Sequence, residues 1–135
     1  MKTNFLGIDI GSVAIGMALM DEDNRILHTD YTIHKGQIRK HLLRMLKGLD
    51  SSSIRTIGYT SSTPAIFKGG KSVDTRVSYI TAAKHFHPDI RSLLIIGAEK
   101  FGLVTFDEHG EYRNYKSNSS CAAGTGNFLD QQSER

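Results

Sequence analysis

A pattern of strands and turns recurs in this chain after 86 residues, and this repeat limits the folds open to it. Residues 7–26 and residues 93–112 both read as strand, glycine turn, strand, acidic turn and strand. Two glycines and two acidic residues of the first segment coincide with the same residue types in the second: Gly11 with Gly97, Gly16 with Gly102, Asp21 with Asp107, and Glu22 with Glu108. We interpret the match as a duplicated structural unit. The alternative is a pair of unrelated hairpins that draw on the same small set of turn residues.

Hydrophobic periodicity gives the order of the secondary-structure elements. Short apolar or alternating runs predict strands, and apolar residues at helical spacing predict helices. The predicted strands cover residues 5–10, 13–20, 25–33, 54–59, 93–96, 103–106 and 112–116, and the predicted helices cover residues 35–47 and 75–86. The first six elements form an α/β lobe of order βββαβα within residues 1–91, and residues 92–135 begin a second, similar lobe. Because the last residues resemble a helix with neither a glycine cap nor a following strand, we expect the chain to be a fragment.

The composition is that of a globular domain. Hydrophobic residues make up 39% of the 135 residues and charged residues 23%, which supplies enough apolar material for a core. The net charge of +3 comes from scattered basic residues, and their one denser group, within residues 39–47, fits the solvated face of a helix better than a nucleic-acid-binding stripe. No apolar run has the length of a membrane span or the form of a signal peptide. The single cysteine, Cys121, excludes an intrachain disulfide and fits a reducing compartment. Taken together, these features lead us to expect a cytoplasmic protein that binds neither nucleic acid nor membrane.

Residues 7–12 (GIDIGS) have the chemistry of a hairpin that binds phosphate. The strand carries the carboxylate of Asp9, which can hold Mg²⁺ through water, and Gly11 lets phosphate oxygens approach the backbone closely. Ser12 adds a donor. The alternative is an ordinary strand that ends in a Gly-Ser turn. A carboxylate inside an apolar strand favours the functional interpretation, because a buried carboxylate needs a cation or hydrogen-bond donors.

Two other patterns carry less weight. Residues 65–72 end like a Walker A loop, but Ala65 stands where the first glycine belongs, and Pro64 separates the motif from the preceding strand. The sequence contains no G-x-G-x-x-G motif, so it does not predict a Rossmann site. His85 and His87 are two residues apart and point to different sides of a helix, whereas zinc-binding pairs on a helix are three or four residues apart. The sequence therefore predicts neither a P-loop nor a zinc site.

Cys121 precedes a predicted helix that begins at residue 127. A thiolate near a helix N-terminus is stabilised by the helix dipole, which suits it to redox chemistry or metal ligation. The alternative is a small, buried hydrophobic residue. Because an iron–sulfur cluster needs about four thiolates, such a cluster would have to be shared across a symmetric dimer and would need a further cysteine after Arg135.

Three segments together resemble one family. Residues 6–12 (LGIDIGS), 87–92 (HPDIRS) and above all 118–130 (NSSCAAGTGNFLD) are similar to the CoA-substrate-specific enzyme activases, which are the activators of 2-hydroxyacyl-CoA dehydratases. The similarity spans essentially the whole chain in order. It implies a ribonuclease H-like lobe of the actin-like ATPase type and a homodimer that holds one [4Fe-4S] cluster between its subunits. It also implies ATP-driven electron transfer to a CoA-substrate enzyme such as a 2-hydroxyacyl-CoA dehydratase.

The resemblance also assigns functions to individual residues. Asp9 is the implied catalytic residue. Cys121 matches one of the two cluster ligands that each subunit contributes. The residues implied to contact ATP or ADP with Mg²⁺ are Gly7, Asp9, Gly11, Ser12, Gly97, Gly124, Thr125 and Gly126.

The chain departs from the family in three places. Residues 13–16 (VAIG) replace a hydroxyl-rich turn, residues 60–64 (TSSTP) replace a glycine-rich turn, and residues 95–100 (IIGAEK) replace D-I-G-G-Q-D. The last change puts Ile95 where the family has a carboxylate on the magnesium side, and losing that charge argues against ATP hydrolysis by this segment. Two alternatives to an activase therefore stay open. One is a catalytically inactive actin-like module for dimerisation or docking, and the other is a small-molecule kinase of the same superfamily.

Overall fold

The computed structural model describes residues 3–98 and 101–117. The chain divides into two compact units, Met1–Ser78 and Tyr79–Arg135. In chain order the elements are β1 (Asn4–Ile10), β2 (Ala14–Asp21), β3 (Ile26–Ile33), α1 (Ile38–Leu46), a 3₁₀ turn (Ser51–Ser53), β4 (Ile54–Thr60), β5 (Lys71–Val73), α2 (Thr75–Phe86), β6 (Ser92–Ile96), β7 (Phe101–Phe106) and β8 (Tyr112–Ser117). Neither described α-helix combines the length and the hydropathy that crossing a membrane requires.

The first unit contains a five-stranded mixed sheet in the order β3-β2-β1-β4-β5. β1, β2 and β3 form an antiparallel meander, whereas β4 lies parallel to β1 on its other side and β5 lies parallel to β4. Parallel strands cannot be joined by a tight turn, and α1 makes the connection from β3 to β4. The order predicted for the first lobe is confirmed, with β5 as an addition. Every predicted strand is present, with its ends shifted by at most two residues.

Two details of the first unit differ from the prediction. α1 begins at Ile38 and not at residue 35, because Lys35 (φ 47°) and Gly36 (φ 77°) adopt left-handed backbone conformations that a right-handed helix cannot include. β5 lies in a segment with no predicted element. Its three residues are all exposed, so no alternation of apolar and polar residues marks it as a strand.

The core of the first unit lies between α1 and one face of the sheet. Alternate residues of β1 and β2 point into it, and the side chains of Leu6 and Ile15 are at most 1% exposed. Leu42 and Met45 complete this core from α1. Full burial of such a side chain stabilises the fold by about 1.5–3 kcal/mol. Because successive side chains of a strand point to opposite faces, Asp9 lies on the other face of the sheet.

The second unit contains a three-stranded antiparallel sheet in the order β6-β7-β8, which confirms the three strands predicted after residue 91. The part of α2 that belongs to this unit carries Lys84. Its ammonium group donates to the carbonyl of Gly110 and lies 4.8 Å from the ring centroid of Phe106. The boundary after residue 91 and the opening of a second lobe there stay predictions.

The two sheets contain the same aspartate turn. Asp21 ends β2 and Asp107 follows β7, and in each case the carboxylate Oδ1 accepts hydrogen bonds of 2.9–3.0 Å from the amides two and four residues later. The residue three positions later has a left-handed backbone conformation in both turns, with φ 62° at Asn24 and φ 79° at Gly110. The likeness that the 86-residue repeat predicted therefore extends to individual hydrogen bonds.

Candidate functional site

The candidate site lies at the carboxyl end of β1, where Asp9 is the last residue but one of the strand. Its half-buried side chain stands on the sheet face opposite α1. The carboxylate Oδ1 accepts a hydrogen bond from Thr60 Oγ1 at 2.6 Å and another from Ser62 Oγ at 3.4 Å. Because hydrogen bonds to a charged acceptor are stronger than those between neutral groups, these hydroxyls fix the orientation of the carboxylate.

Thr60, Ser62 and Thr63 form a hydroxyl cluster around this carboxylate. The hydroxyl of Thr60 lies 3.0 Å from that of Ser62 and 3.1 Å from that of Thr63. Thr63 Oγ1 also accepts a hydrogen bond from the amide of Ile10 at 3.1 Å. The cluster reaches Asp9 because β4 is parallel to β1, so that both strands end at the same edge of the sheet. These three residues were not among the predicted site residues, although a run of four hydroxyl residues directly after a strand was a usable signal.

β5 and the start of α2 hold the loop that carries the hydroxyl cluster. The amide of Ser61 donates to the carbonyl of Val73 at 2.7 Å. The amide of Ser62 donates to Thr75 Oγ1 at 3.1 Å, and the amide of Thr75 donates to Ser61 Oγ at 3.1 Å. The strand that the sequence did not predict therefore anchors the loop beside Asp9.

The turn between β1 and β2 is exposed and borders Asp9. Gly11 closes it by donating its amide to the carbonyl of Ala14 at 2.9 Å. His34 engages two of its carbonyls, with Nε2 lying 3.0 Å from the oxygen of Gly11 and the backbone amide donating to the oxygen of Val13 at 3.0 Å. Within the described residues, the amides of Ser12 and Val13 have no hydrogen-bond partner. Successive backbone amides in such a turn can bind an anion.

The residue that pairs with Asp9 is a glycine, so it places no side chain beside the carboxylate. Gly16 pairs with Asp9, and its counterpart Gly102 pairs with Ile95. A Cβ atom at Gly16 would meet nothing within 4 Å, whereas one at Gly102 would lie 2.6 Å from the ring of Tyr115. The Cβ position opposite Asp9 is therefore unfilled in the first hairpin, and in the second hairpin an aromatic ring fills the equivalent position.

Carboxylate oxygens, hydroxyl oxygens and backbone amides make up the chemistry of the site. Mg²⁺ prefers oxygen ligands and keeps several of its waters. In the described part of the chain, no group of three or more histidine, cysteine, aspartate or glutamate residues could hold a metal ion directly. A cation at this site would therefore be held by Asp9 together with water and the oxygens of a bound phosphate.

Of the other predicted site residues, one lies in β1, one lies in the second unit and four lie outside the described residues. Gly7 lies two residues before Asp9 in β1, on the same face of the sheet. Gly97 follows β6 in the second unit. Four predicted residues lie outside the described residues: Cys121, Gly124, Thr125 and Gly126.

The segment that ends like a Walker A loop does not form a P-loop. A P-loop lysine stands at the start of a helix, and here Lys71 begins the strand β5. Lys71 pairs with Gly58 of β4. This outcome agrees with the prediction that residues 65–72 do not form a nucleotide-binding loop.

No protein-family model matches the chain. The chain is 26% identical over 132 residues to the 2-hydroxyisocaproyl-CoA dehydratase activator of Clostridioides difficile, a match that covers 93% of this chain and 49% of that protein. It is 29% identical over 132 residues to the activator of lactoyl-CoA dehydratase of Anaerotignum propionicum, covering 93% of this chain and 51% of that protein. The chain thus spans about half the length of these curated relatives. These matches confirm the resemblance to dehydratase activators that the motifs predicted.

The fold is also that of a dehydratase activator. The structure of the activator of the 2-hydroxyisocaproyl-CoA dehydratase from Clostridium difficile with bound ADPNP superposes with a TM-score of 0.77. The match has 23% sequence identity and covers 99% of this chain and 52% of that chain. The predicted α/β fold of the actin-like ATPase type is therefore confirmed.

Proposed function

We propose that this chain is the nucleotide-binding part of an ATP-dependent activator of a CoA-substrate enzyme. The observation that carries the proposal is the carboxylate of Asp9, which stands at the end of β1 between a hydroxyl cluster and an exposed turn. Two amides of this turn have no partner among the described residues. The same fold occurs in an activator solved with bound ADPNP. The residue paired with Asp9 is Gly16, and a Cβ atom there would meet nothing within 4 Å, so no side chain of this residue stands in the way of a magnesium-bound phosphate.

In this proposal each residue of the site has a separate role. Asp9 holds Mg²⁺ through water, and the hydroxyl cluster keeps its carboxylate in place. The amides of Ser12 and Val13 bind phosphate oxygens, and the hydroxyl of Ser12 adds a donor. Gly11 and Gly7 keep the approach to the backbone free of side chains.

The proposal extends to an iron–sulfur cluster and a partner enzyme, as in the family that the chain resembles. Cys121 would be one ligand of a [4Fe-4S] cluster shared across a homodimer. Two copies of the present sequence supply two thiolates, whereas a cluster needs about four, so further ligands would have to come from residues outside this sequence. The electron acceptor would be a CoA-substrate enzyme such as a 2-hydroxyacyl-CoA dehydratase. A reducing cytoplasm suits this chemistry.

Titration calorimetry with Mg-ADP tests the nucleotide site. We expect micromolar binding by the wild-type protein. Asp9→Asn keeps the shape of the side chain but removes its charge, which weakens binding of Mg-ADP by about 1.5–3 kcal/mol, or roughly 10- to 100-fold. Without Mg²⁺, Asp9→Asn should bind ADP no more weakly than the wild type, because the lost carboxylate contributes only through the cation.

The control for this experiment is Asp89→Asn, which makes the same chemical change at an exposed loop position. Its affinity for Mg-ADP should match the wild type. A wild-type protein that binds no Mg-ADP refutes the proposed nucleotide site. Equal affinities for Asp9→Asn and the wild type would remove Asp9 from it.

A catalytically inactive interaction module is the second candidate function, and the second hairpin favours it. Ile95 occupies the position equivalent to Asp9, and the ring of Tyr115 covers the glycine opposite. An inactive module would form a stable dimer in analytical ultracentrifugation and bind no Mg-ADP. An activator would bind Mg-ADP, and the anaerobically purified protein would contain iron and sulfide and show a broad brown absorbance.

A further inference from the structure

His34 is a buried residue directly after β3, and it contacts the turn between β1 and β2 that borders Asp9. Only 4% of its surface is exposed. Polar side chains at this depth are costly unless their hydrogen-bonding atoms have partners. Both ring nitrogens of His34 have such partners, Gly11 for Nε2 and Gly36 for Nδ1. The ring therefore links two backbone segments that are far apart in sequence.

The hydrogen bonds define which ring nitrogen carries the proton. The amide of Gly36 donates to Nδ1 at 3.0 Å, so Nδ1 is the acceptor nitrogen and bears no hydrogen. Nε2 then carries the hydrogen and donates it to the carbonyl oxygen of Gly11 at 3.0 Å. Gly36 itself has a left-handed backbone conformation, with φ 77°.

His34 binds the turn twice, and both bonds go to carbonyl oxygens. The side chain takes the carbonyl of Gly11 and the main-chain amide takes that of Val13. With these two carbonyls engaged, the amides of Ser12 and Val13 and the carbonyl of Ser12 are the backbone groups of the turn without a partner among the described residues. Two successive amides without partners present positive partial charges to a ligand, while His34 already engages two of the turn's carbonyls.

We propose that His34 is a positioning residue for phosphate binding: its Nε2–H holds the carbonyl of Gly11 so that the turn offers its amides to the phosphates of the nucleotide. This inference rests on the proposed nucleotide site. His34 itself does not touch the nucleotide and is not a catalytic residue.

Two substitutions of His34 separate its two hydrogen bonds. In His34→Gln the longer side chain places its amide nitrogen near the position of Nε2 and keeps the bond to Gly11. In His34→Asn the shorter side chain places its oxygen near the position of Nδ1 and keeps only the bond to Gly36. We expect His34→Asn to bind Mg-ADP about tenfold more weakly than the wild type, and His34→Gln to stay within about threefold, from the net value of one hydrogen bond. A purely structural role at Gly36 gives the opposite order.

Hydrogen exchange without nucleotide measures the turn itself. The amide of Gly11 is bonded to Ala14 within the turn, and it should exchange faster in His34→Asn than in the wild type or in His34→Gln. His28→Gln, at an exposed position of β3, is the matched control and should change neither exchange nor affinity. If His34→Asn fails to fold, His34→Gln still tests the proposal. Its affinity for Mg-ADP must stay close to that of the wild type, and a clear loss of affinity would overturn the role of His34.

The outcomes separate this inference from the proposed function. A wild-type protein that binds no Mg-ADP overturns the nucleotide site, and the exchange of the Gly11 amide then decides alone whether His34 holds the turn. A wild-type protein that binds, with unchanged exchange and affinity in a folded His34→Asn, leaves the nucleotide site standing and overturns the role of His34.

Discussion

Replacing Gly70 by alanine tests how tightly β5 is held against β4. Gly70 directly precedes β5 and has a left-handed backbone conformation, with φ 85°. A Cβ atom at this position would lie 2.7 Å from the carbonyl oxygen of Ile57 and 3.4 Å from the ring of Tyr59. The close neighbour is a backbone atom of the adjacent strand, so it cannot turn away as a flexible side chain could. The whole edge of the sheet would have to move.

Two costs combine in this substitution. A non-glycine residue in the left-handed region costs about 1–2 kcal/mol. Forcing a methyl group into a filled position costs about 1–3 kcal/mol more. Gly70→Ala should therefore lower the free energy of unfolding by about 2–5 kcal/mol, a large share of the stability of a domain. Because β5 anchors the loop beside Asp9, affinity for Mg-ADP should fall in the same variant.

Two other glycines isolate the two costs in urea unfolding followed by circular dichroism. Gly36 has a left-handed conformation with nothing within 4 Å of its Cβ position, so Gly36→Ala should show only the conformational cost. Gly48 has open space and an ordinary backbone conformation, so Gly48→Ala should change stability by less than about 0.5 kcal/mol. Equal losses for Gly70→Ala and Gly36→Ala would show that the approach of Gly70 to Ile57 costs nothing, and would refute this account of the β4–β5 edge.

Two further perturbations test the hydrogen bonds of individual side chains. Thr60→Val removes the 2.6 Å hydrogen bond to Asp9 and should lower the free energy of unfolding in urea by about 1.5–3 kcal/mol. The control Thr29→Val, at an exposed position, should not change it. Equal losses would contradict a stabilising role of the hydroxyl cluster. The amide of Arg25, with smaller contributions from its side chain, holds the pKa of Asp21 below its ordinary value of 3.8. A carboxylate whose pKa is lowered by folding stabilises the fold above its unfolded pKa and loses that effect as the pH falls through the folded value. Thermal unfolding between about pH 5 and pH 2 should therefore depend less on pH in Asp21→Asn than in the wild type, and identical pH profiles would refute this assignment.

Local patterns in the sequence predicted those parts of the fold that local patterns determine. Apolar runs and helical spacing identified seven of the eight described strands and both described α-helices. The strand β5 could not be predicted, because it is short, exposed and held by a parallel neighbour rather than by its own hydrophobic pattern. The start of α1 was predicted too early because the left-handed conformation of Lys35 carries no compositional signal.

The candidate site was predictable only where one short motif contains it. Asp9 stood out as a carboxylate in an apolar strand, and its role in nucleotide binding stays a prediction. The partners of the site come from far along the chain, with Thr60 lying 51 residues after Asp9 and His34 lying 23 residues after Gly11. No spacing rule links such positions, because the parallel pairing of β1 with β4 and the end of β3 bring them together.

The tyrosine ring over Gly102 has a consequence for any attempt to rebuild the second hairpin. Ile95→Asp alone would give the second hairpin a carboxylate at the position equivalent to Asp9. The new carboxylate would stand beside the ring of Tyr115, whereas Asp9 stands beside Gly16, whose Cβ position is unfilled. Ile95 and Tyr115 would have to be replaced together. The two hairpins differ in shape as well as in charge, and changing only one of these features would not give the second hairpin the geometry of the first.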